Sequence, residues 1–376
     1  MLPSNNFVVP WLNILSACGH ACYIFNSKRF NEYVAGYHAI HSHKVVLEKD
    51  HGMHKNFWPG LMPVMRAARN GLLATLVGAA LVACGGGDGG GSAPPVLQAN
   101  PTTPWELMTA GDIAQCVPGF ASDSNAEKTA KLIERQLAGA GGNSNVLTLG
   151  DNAYLFGAKI GFTECYGQTW GRFIDKTFAI PGNHDYENSG EADYFNYFGA
   201  KANPDGKGTG YYRIDQSGWT VFALNSNIDA AAASAQAEWL KKELATAQPC
   251  VAAAWHHARF SSSDDGDNTT MTALWDILDQ AKADVVLQSH AHQYERFGTM
   301  TSDGTLSTTG GLRSFVVGTG GAITSGFASV RPGSEKQAQA FGVMRLSLSA
   351  GNAKWKFIDV DNAVLDEGAF TCRKKA

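Results

Sequence analysis

From about residue 101 onward, short apolar runs alternate with stretches whose apolar positions recur at helical spacing. Trp105–Ala110, Val146–Leu149 and Thr177–Ile180 read as strands. Between the first two, Ser124-Asn125-Ala126-Glu127 has the form of a capping box, and Ala130, Ile133 and Leu137 follow on one helical face. Tyr211–Asp215 and Trp219–Leu224 predict a hairpin turning at Gln216-Ser217-Gly218. Gln236–Ala247 predicts a helix with Trp239, Leu240 and Leu244 facing inward, and a second helix is expected near Thr270–Lys282 between buried strands at Val251–Trp255 and Val285–Gln288. Ser314–Val317, Val343–Leu348 and Lys354–Val360 read as further strands. The alternation predicts a single α/β domain over 101–376, without internal repeats.

The first hundred residues follow another plan. A basic stretch, Met65-Arg66-Ala67-Ala68-Arg69-Asn70, precedes an apolar run from Gly71 to Val82 and then Ala83-Cys84-Gly85, the layout of a secretory signal over 62–84. Leu81-Val82-Ala83-Cys84 resembles the lipobox of bacterial lipoproteins. That resemblance implies lipidation of Cys84, a membrane anchor, and a mature protein facing the periplasm or cell surface. The Gly- and Pro-rich segment 85–100 reads as a flexible tether. Residues 1–61 have no clear period and are expected to be either a start-site artefact or a poorly ordered extension. No apolar run reaches the roughly 18 residues of a membrane span.

Net charge is −4 for the whole chain and −8 from Cys84 onward, so the body lacks the electrostatic footprint of a nucleic-acid binder. An oxidising compartment would pair the four cysteines beyond Cys84. Three pairings are possible. Cys116–Cys165 and Cys250–Cys372 are favoured, because Cys250 opens a core strand and Cys372 lies in a tail that it can pin.

Histidine placement changes the picture most. Six of eleven precede residue 55, and the other five are His184, His256, His257, His290 and His292. These short clusters, with Asp112 and Asp151, each follow a predicted strand, and open α/β sheets place ligand sites at the carboxyl ends of their strands. Two Asp, one Asn, one Tyr and four or five His suit borderline metals such as zinc, iron or manganese, and are too many for one tetrahedral ion. Two ions sharing a carboxylate is the natural solution, and phosphoryl-ester hydrolysis is the reaction that uses such a pair most directly.

Gly111-Asp112, Gly150-Asp151-Asn152-Ala153-Tyr154, Gly182-Asn183-His184-Asp185, Trp255-His256-His257 and Ser289-His290-Ala291-His292 match in order the five motifs of calcineurin-like metallophosphoesterases. The Asp151-x-x-Tyr154 spacing resembles the purple acid phosphatase branch, and Gly318-Thr319-Gly320-Gly321 adds a further family-like element. The resemblance implies a four-layer α/β sandwich of two mixed β-sheets flanked by helices. It also implies two metal ions, iron with zinc, manganese or a second iron. Asp112, Tyr154 and His292 would bind one ion and Asn183, His256 and His290 the other, with Asp151 bridging. His184 would meet the phosphate of a small phosphorylated substrate and protonate the leaving oxygen. The implied activity is phosphomonoester hydrolysis, acid phosphatase-like, by in-line attack of a hydroxide held between the metals. A phosphodiesterase acting on nucleotides or lipid head groups, or a non-catalytic surface lipoprotein, are the alternatives.

Several positions carry a second reading. Asp112 can serve as a turn residue, since Ala114 stands where the family has glycine, and Tyr154 can be a packed aromatic. Bound to ferric iron, Tyr154 would colour the protein. His256 and His257 compete for one ligand role; His256 is chosen because it directly follows the strand, which leaves His257 at the substrate rim. Ser289 also replaces a family glycine, so its loop must adopt a conformation that serine tolerates. Glu295-Arg296 reads as an internal ion pair, and nothing distinguishes Arg172 or Arg259 from surface charge. Specificity is expected from the loops 188–210, 261–270 and 321–337, in which no code is readable.

Overall fold

A computed structural model describes residues 103–154, 157–187 and 192–373; the expectations for 1–100, including the signal, Cys84 and the tether, lie outside the described residues. In chain order the elements are β1 (Trp105–Ala110), α1 (Asn125–Ala138), β2 (Ser144–Thr148), β3 (Thr177–Phe178), α2 (Ala192–Phe198), β4 (Tyr212–Gln216), β5 (Trp219–Ala223) and α3 (Ala235–Leu244). They continue with β6 (Cys250–His257), α4 (Thr272–Gln280), β7 (Val285–Ser289), β8 (Tyr294–Met300), β9 (Leu312–Val317), β10 (Ser334–Ala338), β11 (Gly342–Ser349), β12 (Asn352–Asp359) and β13 (Val364–Thr371).

Local chemistry explains the starts and turns. The Ser124 side chain accepts a hydrogen bond from the Glu127 amide at 3.2 Å and so caps α1. The reciprocal half of the capping box is absent, because the Glu127 carboxylate faces Arg172 at 2.9 and 3.2 Å instead. The β4–β5 hairpin turns on two residues, Ser217 and Gly218, with φ of 50° and 81°, the left-handed pair that a twisted hairpin needs. Gln216, expected in the turn, stays in the ladder opposite Trp219.

Two mixed sheets result. One runs β13-β12-β11-β1-β2-β3 and the other β10-β8-β9-β7-β6-β5-β4. The strands β1, β2 and β3 are mutually parallel, as are β5, β6, β7 and β9, and the flanking strands are antiparallel. Period-two alternation divides the apolar residues between two cores. In β6, Cys250, Ala252 and Ala254 join residues of the other sheet such as Trp105, Leu107, Val146 and Met344 in the inter-sheet core. Val251, Ala253 and Trp255 face outward onto Leu240 of α3 and Leu274, Trp275 and Leu278 of α4. Among the described residues no helix is long and apolar enough to cross a membrane.

β8, β10 and β13 were not read from the pattern, and β8 shows why. Its Glu295 and Arg296 are not paired with each other, contrary to expectation. Neighbours on a strand point to opposite faces. Glu295 is fully buried and accepts from the Ser262 amide and hydroxyl, Gln293, the Ser334 hydroxyl and Gln337. Arg296 turns the other way, onto Asp366 at 2.7 Å and onto Glu335. Of the other two arginines, Arg172 is held by Glu127 and Glu134, and Arg259 is buried, donating to the Ser302 carbonyl.

Both favoured disulfides are present, Cys116–Cys165 across 49 residues and Cys250–Cys372 across 122. The second fastens the chain's last strand to the first residue of β6, joining the two sheets. A paired Cys250→Ser/Cys372→Ser variant is expected to lose about 2–5 kcal/mol of stability, measured by denaturant unfolding.

Candidate metal centre

Five strands deliver the candidate ligands from their carboxyl ends. Asp112 follows β1, Asp151 follows β2, Asn183 and His184 follow β3, and His290 and His292 follow β7. The fifth strand, β6, extends further than its apolar run, so His256 is its penultimate residue rather than the first beyond it. Alternation then turns His256 inward, fully buried, and leaves His257 part-exposed, held by Ser226 Oγ at 2.8 Å from its Nδ1.

The backbone at this junction is unusual. Asp112, Asp151 and His290 are non-glycine residues with φ of 57°, 50° and 71°. Left-handed backbone at such residues costs free energy and tends to gather at functional sites. Each of the two carboxylates is braced from the opposite motif. The His290 amide donates to Asp112 Oδ2 and the His184 amide to Asp151 Oδ1, both at 2.9 Å. Gly150, at φ 94°, precedes Asp151, and any Cβ there would lie 2.5 Å from the His256 ring. The buried Asp185 carboxylate ties the two loops together, accepting from the amides of Gly182, Asn152 and Ala153. Burial, together with the nearby Asp151 charge, pushes its pKa up to about 6. Ala114, where the family has glycine, is accommodated as a bridge partner of Ala153.

Hydrogen-bond accounting tests whether these side chains suit a cation. His256 Nδ1 lies 2.9 Å from the Leu149 carbonyl, which can only accept, so Nδ1 carries the proton of the neutral ring. The Nε2 lone pair then faces Asn183 Oδ1 at 3.0 Å, His290 Nδ1 at 3.2 Å and Asp151 Oδ1 at 3.3 Å. His292 repeats the arrangement. Its Nδ1 is 2.7 Å from the Ile323 carbonyl, and its Nε2 faces Tyr154 Oη at 2.9 Å and Asp112 Oδ1 at 3.2 Å. The single Tyr154 proton serves only one of its neighbours, which include Asp112 Oδ1 at 3.0 Å and Asp151 Oδ2 at 3.3 Å. Lone pairs therefore converge in two adjoining groups that share Asp151, and the residues fit two cations. The ligating atoms of Asp151, His256 and His290 all lie within 4.8 Å of one another. Cys250, Asp284 and Cys372 also cluster, but their two sulfurs are spent in a disulfide.

Without metal, protons must supply the missing positive charge. Burial alone would lower the pKa of His256 and His292, but Asp151 and Asp112 outweigh it, and both rise to about 9. The two carboxylates respond in the opposite sense: burial raises them, yet the histidines beside them leave both below their ordinary value. Burial and the charges of His256 and His290 hold His257 down to about 3. Burial, Asp112 and Asp151 raise the Tyr154 phenol well above its usual value, keeping it neutral until a cation arrives.

Beside the ligands, His184 Nε2 stands 3.8 Å from Asp151 Oδ2, and its Nδ1 contacts Glu187 Oε1 at 3.0 Å. Glu187 was not read from the sequence, although its position three residues after His184 in a helical turn was the available signal. Ser289 was noted only as a replaced glycine. Its hydroxyl bridges the Leu149 carbonyl and His256 Nδ1, and Gly111 leaves the space, since a Cβ there would meet Ser289 Oγ at 2.4 Å.

Residues 108–294 match the family model described as calcineurin-like phosphoesterase. Purple acid phosphatase 15 of Arabidopsis thaliana is 28% identical over 145 residues, covering 34% of this chain and 27% of that protein. Purple acid phosphatase 23 of the same plant is 27% identical over 145 residues, covering 34% and 32%. The chain thus spans about a quarter to a third of the length of these relatives. Among solved structures, the purple acid phosphatase PPD1 from yellow lupin (Lupinus luteus) seeds superposes with a TM-score of 0.57 at 19% identity, over 71% of this chain and 54% of that one. GAP50, the anchor in the inner membrane complex of Plasmodium, gives 0.54 at 14% identity over 73% and 90%. The chain belongs to the calcineurin-like metallophosphoesterase family, with purple acid phosphatases among its homologues.

In metal-free protein, the stability from the raised histidines is fully present below their unfolded pKa of about 6.5 and is lost as pH rises through about 9. Its melting temperature should therefore fall over that window, and metal loading near pH 7.5 should release protons, read by calorimetry in buffers of different ionisation enthalpy. Ser289→Ala, which removes one of two acceptors at His256 Nδ1, is expected to weaken metal binding about tenfold in a metal titration.

Proposed function

We propose that the protein is a metal-dependent phosphoric ester hydrolase, a phosphomonoesterase of acid phosphatase type. The supporting observation is the pair of lone-pair clusters sharing Asp151, with His184 at their edge. Asp112, Asp151, Tyr154 and His292 would hold one ion, and Asp151, Asn183, His256 and His290 the other; iron with zinc, manganese or a second iron suits this mixed set. When bound, such a pair supplies a nucleophilic oxygen at neutral pH and neutralises charge on the phosphoryl group.

The chain's own side chains supply the rest. Glu187 accepts from His184 Nδ1, which leaves Nε2 facing the phosphate side. With both ring nitrogens protonated, His184 donates its Nε2 proton to the ester oxygen as the P–O bond breaks and the bonding pair passes to that oxygen. Glu187 fixes the orientation of the ring through Nδ1. His257, kept neutral at the rim, can accept a hydrogen bond from substrate. We propose also that the protein is exported and anchored through Cys84, facing the periplasm or cell surface; two disulfides suit an oxidising compartment.

Metal-loaded protein is expected to hydrolyse a chromogenic phosphomonoester faster than its diester analogue, and Asp151→Asn should abolish turnover. His184→Ala is expected to lower kcat about 10²- to 10⁴-fold, more for alkyl than for nitrophenyl leaving groups, which need less protonation. A diester preference would reassign the substrate class, and no turnover with two metals bound would refute the enzyme reading.

A further inference from the structure

The segment 322–325 is stitched to the metal centre through its backbone. The Ala322 amide donates to the Asp112 carbonyl at 2.8 Å, the Ile323 carbonyl receives His292 Nδ1 at 2.7 Å, and the Ser325 amide donates to the His292 carbonyl at 2.9 Å. The Ser325 hydroxyl in turn accepts from the His292 amide at 3.1 Å, and the Ile323 amide donates to Gln115 Oε1 at 2.8 Å. A backbone bonded at so many points cannot withdraw from the site. Yet the Ile323 side chain is 71% exposed, the most exposed large apolar residue among those described. Beyond Gln115, the same lip carries Val117 and Phe120, 56% and 62% exposed, on a segment pinned by the Cys116–Cys165 bridge.

The loop after β6, bonded through Ser262 to the amides of Ala328 and Ser329, has opposite character. It presents exposed Asp264 and Asp265. Such carboxylates repel anionic groups, whereas the Ile323 lip, bonded to the His292 ring, offers rigid apolar surface whose shielding from water is favourable.

We infer that the Ile323 lip, extended by Val117 and Phe120, receives the alcohol portion of the substrate and selects phosphate esters of apolar alcohols, aryl or alkyl, over those of polyols and nucleosides. This rests on the phosphoesterase reading and names the substrate class of that site.

The test compares kcat/KM for phenyl phosphate, hexyl phosphate, glycerol 2-phosphate and adenosine 5′-monophosphate, using metal-loaded wild type, Ile323→Ser and Ile323→Val. Binding of benzylphosphonate and methylphosphonate is measured in parallel by calorimetry. The expected result is a wild-type preference for the phenyl and hexyl esters that falls about fivefold in Ile323→Ser, mainly through KM, and is kept by Ile323→Val. Phenyl preference without hexyl preference would assign the lip to aryl groups, and the reverse to alkyl chains. If no ester is turned over but benzylphosphonate binds more tightly than methylphosphonate in an Ile323-dependent way, the catalytic reading fails and the apolar lip stands. A preference for the polar esters, a selectivity ratio untouched by Ile323→Ser, or equal binding of the two phosphonates overturns the inference.

Discussion

Several lone pairs aimed at one another repel, and a fold that holds them so must be fastened from outside. In this protein the fastening is reciprocal. The Asp112 carboxylate is braced by the amide of His290, Asp151 by the amide of His184, and His256 and His292 by main-chain carbonyls behind them. Three left-handed residues lie at this crossing of two sheets. The hydrophobic cores on either side of the second sheet hold the strand ends in place, so that this convergence persists and protons or cations must relieve it.

Chemistry then divides by layer. Apart from the Tyr154 phenol, the innermost atoms can all turn a lone pair inward, which suits a cation. The next shell, made of Leu149, Ser289, Ile323 and Asp185, fixes tautomers and loop positions. Outside it, Glu187 and Ser226 hold the rings of His184 and His257. A residue's role follows from the layer that its strand end reaches, and period-two alternation sets that layer. His256 and His257, adjacent in sequence, therefore fall on opposite sides of the division.

Much of this was legible in the residues. Apolar runs gave the parallel strands of both sheets, because buried parallel strands are near-continuously hydrophobic, and the candidate ligands stood out by following those strands. The strands that escaped notice, β8, β10 and β13, carry charged residues whose partners lie far off in sequence: Arg296 with Asp366, and Glu295 with Ser262 and Gln337. No local pattern reports such partners. The same limit misassigned Glu295 and Arg296 to each other, since adjacency in sequence means opposition across a strand. Ser289 looked like a flaw because its compensation, Gly111, lies in another motif.

The order of the first sheet has a consequence for how the protein is made. β1, which ends at Asp112, lies between β2 and β11, with Trp105 opposite Leu348 in the ladder. Until β11 is synthesised, that edge of β1 has no strand to pair with, and the loop that braces His292 has no frame. Such distant pairing is slow to form and leaves a sticky intermediate. The finished arrangement therefore depends on a strand made late, and the candidate ligands are held together only after β11 has docked.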